Sequence, residues 1–167
     1  MDAGAQSGRI VADRRSVTAK RALEAPEFVI DVEVIQIGPD ESVRLAAARA
    51  WSTWEGATSF LRMDPDFISG HDEPAFALAF ARIENHYFVN GGFFEVEDQL
   101  LRDAHRIAEI PGVIVHGRYD VVCPVANAWD LKRAWPKGDL VITPNSGHSA
   151  FEAENMDALV RATDKFA

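Results

Sequence analysis

Cysteine, long apolar runs and basic charge are all scarce in this 167-residue sequence, and each shortage excludes a class of protein. Cys123 is the only cysteine, so an internal disulfide is excluded, and a reducing compartment such as the cytoplasm is the expected location. No apolar run approaches the roughly 18 residues that a membrane-spanning helix needs. The first 25 residues also lack the apolar segment of a secretory signal, so we expect no membrane partner.

Basic residues are outnumbered, with 17 lysines and arginines against 26 aspartates and glutamates, for a formal net charge of −9. Binding to a phosphate backbone needs a basic face, so a nucleic acid partner is not expected. The five histidines have none of the spacings that are typical of zinc sites, such as His-Glu-x-x-His. We therefore expect no metal.

Residues 1–40 differ in composition from the rest of the chain. Up to Ala25 they hold five lysines or arginines against three aspartates or glutamates, among glycine, serine and alanine. A segment of this composition buries little apolar surface. Within it, Phe28–Ile37 is rich in β-branched residues and predicts one strand that ends at Gly38-Pro39. We interpret residues 1–40 as a leader with one possible strand.

Residues 41–108 predict a group of helices. Apolar residues recur at helical spacing over Glu41–Gly56, Phe76–Phe88 and Phe94–Ile107. The second of these segments is apolar nearly all round, with Phe76, Phe80, Ile83 and Tyr87 on one stripe, which predicts burial on several sides. The residues between the helices predict turns or loops, at Asp64–Asp66, Ser69–Pro74 and Asn90–Gly92.

Residues 109–167 alternate between strand and helix. Strands that alternate with helices at this spacing predict a parallel sheet covered by helices, so the expected fold class is α/β. The predicted order is strand Val113–His116, helix Val125–Trp135, strand Leu140–Thr143 and helix Glu152–Phe166.

Asp120 and His148 each follow one of these predicted strands, on the loop that leaves its C-terminal edge. Open α/β sheets place their chemistry at such loops. A carboxylate there can accept a hydrogen bond from one imidazole nitrogen, which lets the other nitrogen take a proton from a nucleophile. Gly117, three residues before Asp120, and Gly147, directly before His148, would permit unusual backbone angles. The pattern predicts the acid and base of a Ser-His-Asp hydrolase.

The serine that such a pair would activate is missing. In α/β hydrolases it lies upstream of the acid and the base on a Gly-x-Ser-x-Gly turn, and no such turn occurs here. Ser149 adjoins His148, but adjacent side chains on an extended loop usually diverge. Ser146 lies on the same loop, but no helix N-terminus follows it to supply an oxyanion hole. We therefore expect a C-terminal fragment that has negligible activity alone.

Four segments contain long and uncommon strings of residues. They are Ala50–Thr58 (AWSTWEGAT), Ala77–Phe88 (ALAFARIENHYF), Ile114–Pro124 (IVHGRYDVVCP) and Ser146–Ser149 (SGHS). In these segments the chain resembles the proline iminopeptidases, serine exopeptidases of the α/β-hydrolase fold. The resemblance runs from about Glu41 to the C-terminus, and residues 1–40 stand where that family has its catalytic N-terminal half.

The resemblance implies a role for each matching residue. It implies a partial α/β-hydrolase fold, in which residues 41–108 form a helical lid and residues 109–167 the last strands and helices of the sheet. Asp120 would orient His148, which would act as general base and then general acid. Glu55 and Glu84 match the carboxylates that hold the free amine of a peptide with an N-terminal proline. No cofactor and no metal are implied.

Two other functions remain open from the residues alone. One is a non-catalytic assembly or binding fragment, which would complete a missing N-terminal half or form a homo-oligomer. The other is a different α/β hydrolase, of the esterase or epoxide hydrolase type, which would need no carboxylates for an amine. Cys123 lies three residues after Asp120 and is interpreted as a core residue.

Overall fold

The computed structural model describes residues 40–167, so the predicted Phe28–Ile37 strand and the rest of the leader lie outside the described residues. The described part contains six α-helices, two strands and two 3₁₀ turns. In chain order they are α1 (Glu41–Thr58), α2 (Pro65–His71), α3 (Pro74–Val89), a 3₁₀ turn (Gly91–Phe93), α4 (Gln99–Asp103), a 3₁₀ turn (Ala104–Ile107), β1 (Gly112–Gly117), α5 (Val125–Ala134), β2 (Gly138–Thr143) and α6 (Ala153–Lys165).

Acidic caps determine where the first three helices begin. Asp40 Oδ1 accepts hydrogen bonds from the amides of Ser42 and Val43, and the Asp64 and Glu73 carboxylates cap α2 and α3. A proline occupies the first turn of both α2 and α3, where its missing N–H costs nothing. The prediction of turns at Asp64–Asp66 and Ser69–Pro74 is therefore wrong in part, because an aspartate followed by proline begins a short helix here.

Small residues let α1 and α3 pack closely against each other. At four-residue spacing α1 buries Ala48, Ser52 and Gly56, and α3 buries Ala77, Ala81 and Asn85. Residues four apart lie on one face of a helix, so each helix offers a stripe without large side chains. Ala48 and Ala81 thus form the core of this region, and the partly buried Trp51 and Leu78 pack against them.

Several large apolar residues of α3 face outward. Phe76, Ile83 and Tyr87 are exposed, so the prediction that this helix is buried on several sides is wrong among the described residues. The fully buried hydrophobic residues of the described part are all alanines, at positions 48, 77, 81, 104 and 128. Hydrophobic periodicity located the helix correctly, but the buried face was decided by side-chain size.

The third predicted helix, Phe94–Ile107, is shorter than expected. Its first residues are not helical, α4 begins at Gln99, and Ala104–Ile107 continues as a 3₁₀ turn. The amide of Glu95 donates to Gln99 Oε1 at 2.8 Å, which gives the backbone a local alternative to the helical hydrogen bond. Asn90–Gly92 does end α3 as predicted, with positive φ at Gly91 and Gly92.

The two strands form a parallel pair, as predicted, with Gly112 opposite Gly138 and Gly117 opposite Thr143. Helices α5 and α6 both pack against this sheet. The C-terminal ends of adjacent parallel strands lie side by side, which brings the loops after β1 and β2 together. None of the described helices is long and apolar enough to cross a membrane.

Candidate active site

The loops after β1 and β2 touch through two glycines. A Cβ atom on Gly117 would lie 1.9 Å from the carbonyl oxygen of Gly147, and one on Gly147 would lie 2.9 Å from the Leu61 amide nitrogen. Neither glycine has a positive φ, so the expectation of unusual backbone angles is wrong. Both positions need glycine because of close backbone approach, which seats the β2 loop between the β1 loop and the segment that follows α1.

Asp120 sits at the end of the β1 loop with its side chain only 6% exposed. Its Oδ1 accepts hydrogen bonds from the amides of Val122 (3.0 Å) and Cys123 (2.7 Å), which leaves Oδ2 to face other partners. Burial by itself would raise the pKa of Asp120, but the hydrogen bonds from His148 and from the Cys123 amide hold it below the usual range. Asp120 is therefore a fixed carboxylate at neutral pH.

His148 meets this carboxylate. Its Nδ1 lies 3.0 Å from Asp120 Oδ2, and its side chain is 39% exposed. The hydrogen bond to Asp120, helped by the neighbouring Cys123 thiol, raises the pKa of His148 to about 10 although burial opposes the shift. The two residues that the sequence singled out as acid and base are thus brought into direct contact.

Asn155 and Glu152, at the start of α6, hold the backbone on both sides of His148. Asn155 Nδ2 donates to the carbonyl oxygens of Gly147 (3.2 Å) and Ser149 (2.8 Å). The Glu152 carboxylate accepts from the amide of Gly147 at 2.5 Å and from the amide of Leu61 at 2.8 Å. Because Leu61 follows α1, one carboxylate ties the helical region to the loop that carries His148.

Residues 59–61 make a second backbone contact with the same loop. The amide of Ser149 donates to the carbonyl oxygen of Ser59 at 2.7 Å. Together with the Glu152 contact, this bond presents the C-terminal end of α1 to the acid and base.

Glu55 and Glu84 lie on the facing helices α1 and α3, and both are partly buried. Burial and the nearby charge of Glu84 raise the pKa of Glu55 to about 7. Burial likewise raises the pKa of Glu84, although the Trp51 indole N–H donates to its Oε2 at 2.7 Å. The charge of His148 lowers the pKa of both, which shows that the carboxylate pair and the imidazole lie within electrostatic reach of each other.

Cys123 is not a core residue, contrary to the interpretation from sequence. It is partly exposed, and its sulfur, an Asp120 oxygen and a His148 ring nitrogen all lie within 4.8 Å of one another. The loop turns back on Asp120 because that carboxylate caps the Cys123 amide. Local sequence showed no signal for this turn beyond the short spacing between the two residues.

Glu152 and Asn155 were missed by sequence reasoning as residues that position the site. A glutamate at the predicted start of a helix reads as an ordinary N-terminal acidic residue. Its bond to Leu61 spans 91 residues along the chain, which no local pattern reports. Of the four predicted site residues, by contrast, Asp120 and His148 are in direct contact, and Glu55 and Glu84 lie near enough to His148 for its charge to lower the pKa of both.

A carboxylate bonded to a histidine at the C-terminal ends of adjacent parallel strands is typical of hydrolases with a Ser-His-Asp triad. Among known proteins the chain is 79% identical over 128 residues to a proline iminopeptidase of Xanthomonas citri. It is 78% identical over 127 residues to that of Xylella fastidiosa and 48% identical over 126 residues to that of Arabidopsis thaliana. No family model matches the chain.

These similarities cover 75–77% of this chain but only 41%, 41% and 33% of the three relatives. Over the matched stretch the chain is a relative of the proline iminopeptidases and corresponds to their C-terminal portion. It thus spans well under half the length of these relatives.

Proposed function

We propose that this chain supplies the acid, the base and the amine-binding carboxylates of a serine exopeptidase that releases N-terminal proline from peptides. The observation that carries this proposal is the 3.0 Å contact of His148 with Asp120 beside the Glu55 and Glu84 pair. Residues 41–108 would act as the lid of an α/β-hydrolase fold, and residues 109–167 as the end of its sheet domain. The nucleophilic serine would come from polypeptide outside this sequence.

In the proposed reaction, Asp120 holds the imidazole through Nδ1, so that Nε2 takes the proton of the serine hydroxyl and later gives it to the leaving amine. A general base works best with a pKa near the operating pH, and His148, with its pKa of about 10, is charged at neutral pH. We therefore expect the polypeptide that brings the serine to lower the pKa of His148, by burying it further or by separating it from Cys123.

Glu55 and Glu84 would recognise the amine of the substrate. An N-terminal proline carries a protonated secondary amine, and charge-assisted hydrogen bonds to carboxylates contribute about 1.5–3 kcal/mol each. The raised pKa of both side chains reflects the cost of holding two negative charges in a partly buried place. A bound cation offsets that cost, so the pair would favour a cationic group over a neutral one.

The open side of the sheet supports association with further polypeptide. Only two strands are present in the described part, and parallel strands are stable when both faces and edges are covered. Beside them lies an open apolar groove lined by Val125, Trp129, Leu140 and Ile142. We propose that the N-terminal part of the hydrolase fold covers this surface. We also propose that the protein acts in the cytoplasm, because a single cysteine is typical of a reducing compartment.

A fusion protein tests this function. Residues 41–167 joined to the N-terminal portion of the Xanthomonas citri relative should hydrolyse proline p-nitroanilide, whereas the 167-residue chain alone should show negligible turnover. The His148→Ala fusion is the matched control and should be inactive. A wild-type fusion that folds but is inactive would contradict the proposal. Activity after mixing the two separate parts would show that this chain can also assemble with a separate N-terminal half.

The carboxylate pair separates an iminopeptidase from an esterase. In the active fusion, Glu55→Gln and Glu84→Gln should raise KM for proline p-nitroanilide and leave hydrolysis of p-nitrophenyl acetate unchanged. Equal effects on both substrates would indicate that the two residues only support the lid.

A further inference from the structure

Cys123 brings to the acid–base site a third group for which the proposed peptidase reaction has no use. Its sulfur lies within 4.8 Å of both an Asp120 carboxylate oxygen and a His148 ring nitrogen. Atoms that ligate one zinc ion at about 2.0–2.3 Å lie about 3–4 Å from one another in a tetrahedral site. The three ligand atoms therefore lie near the separations that a zinc site needs, and a small inward shift of the side chains would complete the site.

We propose that Asp120, Cys123 and His148 form a site for one Zn²⁺ ion, with water as the fourth ligand. The cation would replace the hydrogen that now lies between His148 and Asp120, and binding would release the protons of the Cys123 thiol and of the imidazole. A thiolate and a carboxylate then balance the charge of the ion. The site needs no peptidase activity and does not depend on the proposed function.

The groups around the three ligands already orient them. Asp120 Oδ1 is engaged by the Val122 and Cys123 amides, so Oδ2 is the oxygen left for a metal. His116 Nε2 lies 3.1 Å from the carbonyl oxygen of Cys123, within hydrogen-bond distance, and so holds the backbone of that ligand. Hydrogen bonds of this kind hold ligands in place in known metal sites.

The chemistry of the three donors selects the metal. Sulfur and imidazole ligands favour zinc and other borderline or soft ions, and they disfavour Mg²⁺ and Ca²⁺, which prefer oxygen. His148 is partly exposed, so the site is open to an ion from solution. A bound ion would occupy the imidazole that the serine hydroxyl needs, so zinc and the nucleophile would compete for the same histidine.

Binding of Zn²⁺ to the full 167-residue chain, followed by calorimetry, tests the proposal without any activity assay. We expect one equivalent to bind, and Co²⁺ in its place to give a thiolate-to-cobalt charge-transfer band. Cys123→Ser and His148→Asn should weaken binding by more than the roughly 10–100-fold that the loss of an outer-shell partner costs, since each removes a ligand itself. His86→Gln and His105→Gln, which alter exposed histidines elsewhere, should leave it unchanged.

Stoichiometric binding that survives in Cys123→Ser, or a cobalt spectrum without the thiolate band, would overturn the proposal. So would the absence of binding to the folded wild-type chain. If the variants do not fold, the wild-type protein still decides the question, because Cys123 is the only thiol and Zn²⁺ must then slow its alkylation by iodoacetamide. Alkylation at the same rate with and without Zn²⁺ would be decisive against the site.

Discussion

The helical region, residues 41–107, and the strand region, residues 112–167, both place carboxylates near His148 but treat their charge in opposite ways. In the strand region, hydrogen bonds hold the pKa of Asp120 below its usual range despite burial. In the helical region, burial raises the pKa of Glu55 to about 7 and that of Glu84 in the same direction. One region stabilises the charged form of its carboxylate, and the other disfavours the charged form of both of its carboxylates.

The difference suits different tasks. A carboxylate that orients a histidine must stay charged in one geometry, and directional hydrogen bonds provide this. The charged form of a carboxylate pair is unfavourable while the site is empty. A bound cation removes the repulsion between the two carboxylates, so the pair prefers a cationic ligand. Changes to the strand region should therefore act through geometry, and changes to the helical region through charge.

The largest expected effect comes from removing the charge of Asp120. In the active fusion protein, Asp120→Asn should lower kcat about 10⁴-fold, because the amide favours the wrong imidazole tautomer. Asp157→Asn is the matched control, since that aspartate is exposed and pairs only with Arg161 of the same helix among the contacts described. A loss of less than tenfold in Asp120→Asn would mean that orientation of His148 does not depend on this hydrogen bond.

Gly117→Ala should separate the two loops. The added Cβ would meet the Gly147 carbonyl oxygen at 1.9 Å, and backbone atoms yield little, so we expect the free energy of unfolding to fall by about 3 kcal/mol. Urea unfolding measures this change. Gly70→Ala, where a Cβ meets nothing within 4 Å, should be neutral or slightly stabilising in α2. Equal stability of the two variants would contradict the close approach.

Asn155→Ala tests how far the loop depends on its buried amide. The substitution removes the hydrogen bonds of this side chain to the Gly147 and Ser149 carbonyls and to the Thr143 hydroxyl. Because the Gly147 carbonyl then has no other partner among the contacts described, we expect a loss of about 2 kcal/mol in the free energy of unfolding. Asn145→Ala, an exposed asparagine that bonds Glu154, should cost less than about 1 kcal/mol. Similar losses at both positions would argue against a geometric role for Asn155.

Glu55→Gln should have the smallest effect, and its sign depends on pH. Between the ordinary pKa of 4.5 and the folded value of about 7, the folded chain binds more protons than the unfolded chain, so its stability falls as pH rises. Glutamine does not ionise, so the stability of the variant does not fall over this pH range. Above pH 7 the variant should therefore be more stable than wild type by about 1 kcal/mol, after allowance for the partial exposure of Glu55.

Glu154→Gln sharpens the same measurement. Hydrogen bonds from Asn145 lower the pKa of that exposed carboxylate, so its replacement should bring no gain at high pH. A gain of equal size in both variants would mean that net charge, rather than burial of Glu55, sets the pH dependence of stability.

Prediction from sequence was accurate for elements whose ends are determined by residues close together in the chain. Strand β1 and helix α5 lie within a residue or two of their predicted bounds, since turn residues and apolar runs mark both. The helix predicted to start at Phe94 failed because a side chain, Gln99, competes for the backbone. The catalytic and binding roles of Asp120, His148, Glu55 and Glu84 stay predictions, although the structure brings the four side chains to one side of the molecule.

By itself the sequence determined the strand–helix order of residues 112–165, the parallel pairing and the loops on which Asp120 and His148 lie, because apolar periodicity and turn residues act over short distances along the chain. Only the tertiary structure decided that small residues form the α1–α3 contact, that Cys123 joins the acid and base, and that Glu152 links Leu61 to Gly147. Those facts depend on distances between segments far apart in the chain. The pKa of Asp120 is lowered and that of Glu55 is raised, and both shifts depend on the same distances, since burial and hydrogen bonding arise only when the segments meet.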